Sequence, residues 1–235
     1  MSSVLQRHLA KRGQGLAAGI TSVCSAHRWV IRAAAEQAAA DGSLLLVEAT
    51  SNQVNQYGGY TGMRPAEFRS FVLEHVAGAG VGAERLILGG DHLGPNPWRA
   101  LPAAEAMERA ETMVAEYARA GFGKIHLDAS MSCGGDPERL SDEVVAERAA
   151  RLCKAAEQAC GAGERPVYVI GTEVPVPRLS LGLAGGINQC ARALQSQRRE
   201  QRYQLARLPA IRQRASQSGR CAPALPRPQI MPPLL

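Results

Sequence analysis

Two hydrophobic rhythms alternate along the first 177 residues, and together they set the order of the elements. Short apolar runs with strand character stand at Leu44-Leu-Leu-Val-Glu-Ala-Thr50, Leu86-Ile87-Leu88, Gly123-Lys-Ile-His-Leu-Asp128 and Pro166-Val-Tyr-Val-Ile-Gly-Thr-Glu173. Gly15 to Val23 reads as a softer first strand that ends at Cys24-Ser25. Between these runs the apolar period lengthens to that of a helix. Arg28 to Ala40 is the first such segment and stops at Asp41-Gly42. The next begins at Pro65 and puts Phe68, Phe71, Val72 and His75 or Val76 on one face. Pro102 opens a third, with Ala103, Met107, Ala110, Val114 and Tyr117 inward and Gly121 as terminator. Ser141 caps a fourth that carries Asp142 and Glu143 in its first turn and runs to about Cys160.

The later strands begin near 44, 85, 124 and 166, a spacing of about 40 residues. Repeated strand–loop–helix units of that size build a parallel α/β sheet, either open and doubly wound or closed as a (β/α)8 barrel. The apolar strands suit a sheet covered on both faces.

The stretch Arg85-Leu-Ile-Leu-Gly-Gly-Asp-His-Leu-Gly-Pro-Asn-Pro-Trp98 concentrates the chemistry. Gly89 and Gly90 remove bulk where something must approach. Gly94, Pro95 and Pro97 force a loop. Asp91 and His92 then sit at a strand's carboxyl end, expected to point to opposite sides. Such a pair also serves as a simple loop cap. Polar residues recur, however, at the end of every strand: Ser25 and His27, Thr50 to Asn52, Asp128 and Glu173. That recurrence is the rim of a parallel-barrel active site, because unpaired acids cost stability and a scaffold does not need them there. His92 and Glu173 suit zinc or another divalent metal, leaving Asp91 for proton transfer. The loop from Ser51 to Gly62 offers Asn52, Asn55 and the backbone of Gly58 and Gly59 to sugar hydroxyls or phosphate, with Asp128 beside them. His126 reads as a core imidazole paired with Lys124, Asp128 or Glu48, and Trp98 as a loop-packing residue.

Several function classes fall away. Gly78-x-Gly80-x-Gly82 follows a helix and precedes a strand, the wrong context for a dinucleotide fingerprint, and there is no GxxxxGK[ST] segment for phosphoryl transfer. No run approaches the roughly 20 apolar residues of a membrane span. The N-terminal Arg7, His8, Lys11 and Arg12 have no apolar stretch behind them, so they do not read as a signal peptide. Six cysteines without CxxC spacing read as reduced thiols, which places the chain in the cytoplasm.

Four segments carry a resemblance. Glu48-Ala-Thr-Ser-Asn-Gln-Val-Asn-Gln-Tyr-Gly-Gly-Tyr-Thr-Gly62, Leu88-Gly-Gly-Asp-His-Leu-Gly-Pro-Asn-Pro-Trp98, Lys124-Ile-His-Leu-Asp-Ala-Ser130 and Ile170-Gly-Thr-Glu-Val-Pro-Val-Pro177 look like the accessory subunit of class II D-tagatose-1,6-bisphosphate aldolase, also labelled tagatose 6-phosphate kinase. The resemblance covers residues 1–177 and implies the N-terminal part of a TIM barrel, about five βα units, in galactitol and N-acetylgalactosamine catabolism. In the catalytic relatives an Asp-His pair at this strand end supplies the proton-transfer acid and a zinc ligand, and Asp91-His92 matches it in form. The accessory subunit stabilises and activates a catalytic partner subunit instead of cleaving sugar. The implied partners are therefore that subunit and a phosphosugar ligand. The alternative is a metal-dependent sugar-phosphate aldolase or 4-epimerase acting alone.

Residues 178–235 break the pattern. They hold ten Arg and one acid, Glu200, against 17 Lys+Arg and 20 Asp+Glu before them. Val, Thr, Asp, Lys, His, Phe and Trp are all missing from them. This composition is expected of an irregular or helical tail foreign to the fold, as from a frameshift, on a truncated barrel without independent turnover. Nucleic-acid binding is a weaker reading of its charge, because Tyr203 is its one aromatic and no binding motif accompanies it.

Overall fold

The computed structural model describes residues 4–15, 19–161 and 164–171. Its elements run α1 (Val4–Ala10), β1 (Ser22–Cys24), α2 (Arg28–Asp41), β2 (Leu45–Thr50), α3 (Pro65–Ala77), β3 (Leu86–Leu93), α4 (Ala103–Arg119), β4 (Lys124–Leu127), α5 (Asp142–Ala159) and β5 (Val167–Ile170). The tail from residue 178 lies outside the described residues, as does Glu173.

Local chemistry accounts for the ends of the helices. Gly42, at φ 65°, returns its N–H to the carbonyls of Ala38 and Ala39 and stops α2. Pro65 stands in the first turn of α3, and the Arg64 N–H donates to the Glu67 carboxylate at 2.7 Å. Ser141 accepts from the Val144 N–H at the start of α5.

All five strands are parallel, and their order in the sheet is their order in the chain. A doubly wound sheet reverses direction once; this one never does. Right-handed crossovers that always step the same way place their helices on one face. Consecutive helices accordingly pack on each other, α2 on α3, α3 on α4 and α4 on α5. This is an open arc of a (β/α)8 barrel. Val47 and Ala49 of β2 and Ile125 and Leu127 of β4 face the helices, meeting Phe68, Met107 and Tyr117 in the main core.

The opposite, inner face has a separate floor. Leu46 and Ile87, partners across β2 and β3, are covered by Leu5 of α1. Among the described residues no helix is long and apolar enough to cross a membrane.

The loop between β4 and α5 is held by charge. Arg148 forms a two-pronged bond to Asp136, at 2.9 and 2.7 Å, and Asp136 also accepts from the Cys133 N–H. The Arg148 bond, above all, holds the Asp136 carboxyl below the usual carboxylate range. A carboxylate whose pKa is depressed by folding stabilises fully above its unfolded value of about 4, and that gain is lost as pH falls through the lower folded value. Asp136→Asn should therefore cost about 1.5–3 kcal/mol at pH 7. Urea denaturation should show the gap between variant and parent closing as the pH drops below about 4.

Candidate functional site

The residues of interest gather where β3 and β4 end. β3 continues through its glycines and carries Asp91 and His92 inside the strand. Gly89 is needed there: a Cβ would stand 2.3 Å from Glu48 Oε1. At Gly90 it would stand 2.4 Å from Leu93 Cδ1.

Pairing with β4 runs Gly89 to Lys124 and Gly90 to Ile125, then resumes at Leu93 to Leu127. Two residues of β3, Asp91 and His92, therefore stand opposite one of β4, His126. His92 takes up the extra residue with φ 48°, among the described residues the sole positive value outside glycine. This corrects the expectation that Asp91 and His92 point to opposite sides. Strand alternation fails at the bulge, and His92 Nε2 lies 3.9 Å from Asp91 Oδ1.

Each imidazole has its own carboxylate. His92 Nδ1 donates to Asp128 Oδ2 at 3.1 Å, and His126 Nδ1 lies 3.2 Å from Asp91 Oδ1. The two rings are 4.3 Å apart, centre to centre. Asp128 is buried and held in turn by the Ser130 N–H and hydroxyl. The expectation that His126 pairs with Lys124, Asp128 or Glu48 is overturned. Lys124 instead binds Glu48 at 2.5 Å, and His126 turns to Asp91.

Electrostatics follow from these contacts. The His126 bond, assisted by the neighbouring His92, holds Asp91 down to about 2 against the cost of its partial burial. Cys24 is largely exposed as a residue, yet its thiol turns toward Asp91. Partial burial and then the Asp91 charge push that thiol up to about 12, so it stays protonated at neutral pH.

Asp91, His92 and His126 offer ligand atoms that all lie within 4.8 Å of one another. Two imidazoles and a carboxylate suit a divalent transition ion. Two features of the chain fit such an ion. His126 Nε2 is buried without a hydrogen-bond partner among the described residues. Asp128 orients His92 as outer carboxylates orient metal-bound imidazoles. His126 is the residue that sequence reasoning passed over, although the alternation Lys124-x-His126-x-Asp128 had placed it on the polar side of its strand.

The loop after β2 uses much of its polarity on itself. Asn55 is buried, donates to the Ser51 carbonyl and accepts from the N–H groups of Tyr57 and Gly59. Gly58 and Gly59 take φ of 100° and 56°, and a Cβ on Gly59 would sit 2.3 Å from the Gln53 carbonyl oxygen. Asn52 stays exposed, and the Ser51 hydroxyl bonds the His92 carbonyl, tying this loop to the site. Trp98 is buried edge-on against Tyr57, the packing role expected of it.

The family described as D-tagatose-1,6-bisphosphate aldolase subunit GatZ/KbaZ-like matches residues 5–204. The D-tagatose-1,6-bisphosphate aldolase subunit GatZ of Klebsiella pneumoniae subsp. pneumoniae is 53% identical over 190 residues, 80% of this chain and 44% of that protein. The D-tagatose 6-phosphate 4-epimerase of Agrobacterium fabrum is 55% identical over 179 residues, 75% of this chain and 42% of that protein. A crystal structure of a probable tagatose 6 phosphate kinase from Sinorhizobium meliloti superposes with a TM-score of 0.70 at 48% identity. That superposition covers 76% of this chain and 45% of the other. The chain thus spans less than half the length of each of these relatives. With its sequential parallel arc and its strand-end site, it belongs to the D-tagatose-1,6-bisphosphate aldolase subunit GatZ/KbaZ-like family.

Proposed function

We propose that this chain acts as an accessory subunit that stabilises and activates the catalytic subunit of tagatose-1,6-bisphosphate aldolase in galactitol and N-acetylgalactosamine catabolism. The observation that carries this reading is its 53% identity to an aldolase subunit across 80% of its own length. A phosphosugar is the ligand in this reading, with the exposed Asn52 as the side chain for it, Asn55, Gly58 and Gly59 shaping the loop that carries Asn52, and Asp128 acting from behind His92. Zinc, or another divalent metal, is the ion for Asp91, His92 and His126, with Glu173 a further ligand. Such an ion, when bound, polarises a ketose carbonyl. The chain's own part is to aim His92 through Asp128 and to hold Asp91 ionised through His126.

A second reading is 4-epimerisation of a ketose phosphate by this chain itself. It draws on the 4-epimerase relative at 55% identity together with the grouped Asp91, His92 and His126. Carbon 4 of a 2-ketose lies β to the carbonyl, so its inversion balances as a retro-aldol and re-addition. The C4 hydroxyl gives up its proton, and the C3–C4 bond breaks to an enediolate and an aldehyde. The bond re-forms on the aldehyde's other face as the proton returns. Asp91, ionised across the neutral range, is the acceptor in this reading.

Co-expression with a catalytic class II aldolase subunit separates the two readings. Cleavage of tagatose 1,6-bisphosphate, followed through triose phosphate, should rise when the chain is present and be absent from the chain alone. Equal cleavage with and without it would overturn the accessory role. Conversion of tagatose 6-phosphate to fructose 6-phosphate by the zinc-loaded chain alone, lost in Asp91→Asn, would establish the second reading instead. Metal analysis should show zinc retained by the parent chain and lost from His92→Ala and His126→Ala.

A further inference from the structure

One layer below the site, the barrel interior holds a charged pair that neither reading uses. Glu48 is 1% exposed; it binds Lys124 and accepts from the Ser22 hydroxyl. In the sheet, Glu48 is level with Gly89, and Gly89 is level with Lys124. The pair therefore reaches from β2 to β4 over the strand between them. It can do so because Gly89 has no side chain: a Cβ there would come 2.3 Å from Glu48 Oε1 and 2.8 Å from its Cγ. Two residues further along the same faces stand Thr50, Asp91 and His126.

The need for such a strut arises at that level. The β3–β4 ladder is regular at Gly89 and Gly90 and is interrupted opposite His126, where the bulge inserts a residue. Pairing resumes at Leu93 with Leu127, so the backbone fixes β4 on either side of His126, but at the bulge itself no backbone pair fixes how His126 meets Asp91. Among the described residues, the side-chain connection that ties β4 inward before the interruption is Lys124 to Glu48. Buried ion pairs add little to stability compared with apolar residues of the same size, so stability alone gives no reason for one here.

We propose that Glu48 and Lys124 are positioning residues: their ion pair locks β4 to β2 across Gly89 and so aims His126 at Asp91 beside the bulge. This rests on the reading of Asp91, His92 and His126 as the functional group, but it concerns the shape of the chain and not the metal. The pair acts through His126 and touches no ligand itself.

The test is the double variant Glu48→Leu/Lys124→Met in the full chain, compared with the parent by thermal melting, side-chain NMR and zinc titration. The melting midpoint should be equal or higher, because both charges leave together. In the parent, long-range 15N–1H correlations should show His126 as the single Nδ1–H tautomer that Asp91 accepts from. In the variant that tautomer should give way to a mixture, and zinc affinity should fall about 10–100-fold, as when outer support of a ligand is removed. A variant that keeps the single tautomer overturns the proposal. If the parent takes up no zinc, the metal reading fails, and the tautomer comparison still decides this proposal by itself. Should the apolar pair fail to fold, Glu48→Gln/Lys124→Gln carries the same comparison: a tautomer mixture supports the strut, and a single tautomer overturns it.

Discussion

Lys124→Met alone should cost about 3–5 kcal/mol, the usual penalty for breaking a buried ion pair by removing one partner. The Glu48 carboxylate would keep its place at 1% exposure with the Ser22 hydroxyl as its remaining hydrogen-bond partner among the described residues. At that exposure no water is at hand to replace the lysine. The loss comes from the stranded charge and not from any large intrinsic worth of the pair. Restoring balance with Glu48→Leu in the same chain should therefore recover most of the stability. Urea denaturation of the two single variants and the double variant, read as a cycle, measures this. Additive losses would show that Glu48 and Lys124 do not depend on each other.

Gly94→Ala should be comparably severe, about 3 kcal/mol or more, at the upper end of overpacking costs. A Cβ at Gly94 would lie 1.6 Å from the Asp128 carbonyl oxygen, and this obstacle is backbone, which no rotamer change can move. Leu93 accepts from the Asp128 N–H at 3.0 Å, so the two chain segments are already joined where the extra carbon would enter. Separating them pulls Asp128 from His92, and the site should fail along with the fold. Melting of the variant, with zinc retention measured on whatever soluble protein remains, checks both effects. A variant that melts with the parent would mean that this backbone contact is looser than the distance indicates.

Much of the fold is legible in the residue pattern. α4 is readable because a face of Met107, Ala110, Val114 and Tyr117 at helical spacing has one way to be buried, and all four are. Pro65 and Ser141 mark helix starts through rules that act within one turn, and Gly42 marks a stop in the same way. α1 is not readable. A seven-residue helix has little stability of its own. Leu5 becomes a core residue only because Leu46 and Ile87, some 40 and 80 residues away, form a floor for it to cover.

The candidate site divides along the same line. The sequence by itself determined the parallel βα order, the polar strand ends, and the special standing of Asp91, His92 and Asp128, since each is a matter of local period and residue type. It also marked Gly89 and Gly90 as points of close approach. Tertiary structure decided what came close and which charge met which. Lys124 found Glu48 from 76 residues away, and that left His126 for Asp91. The left-handed turn at His92 has no decisive local signature, because residues other than glycine adopt it only occasionally. The surrounding strands impose it: two residues of β3 must fit opposite one of β4. Periodicity within a chain says which side a residue faces, but a bulge is a mismatch between two strands, and it exists only once they are paired.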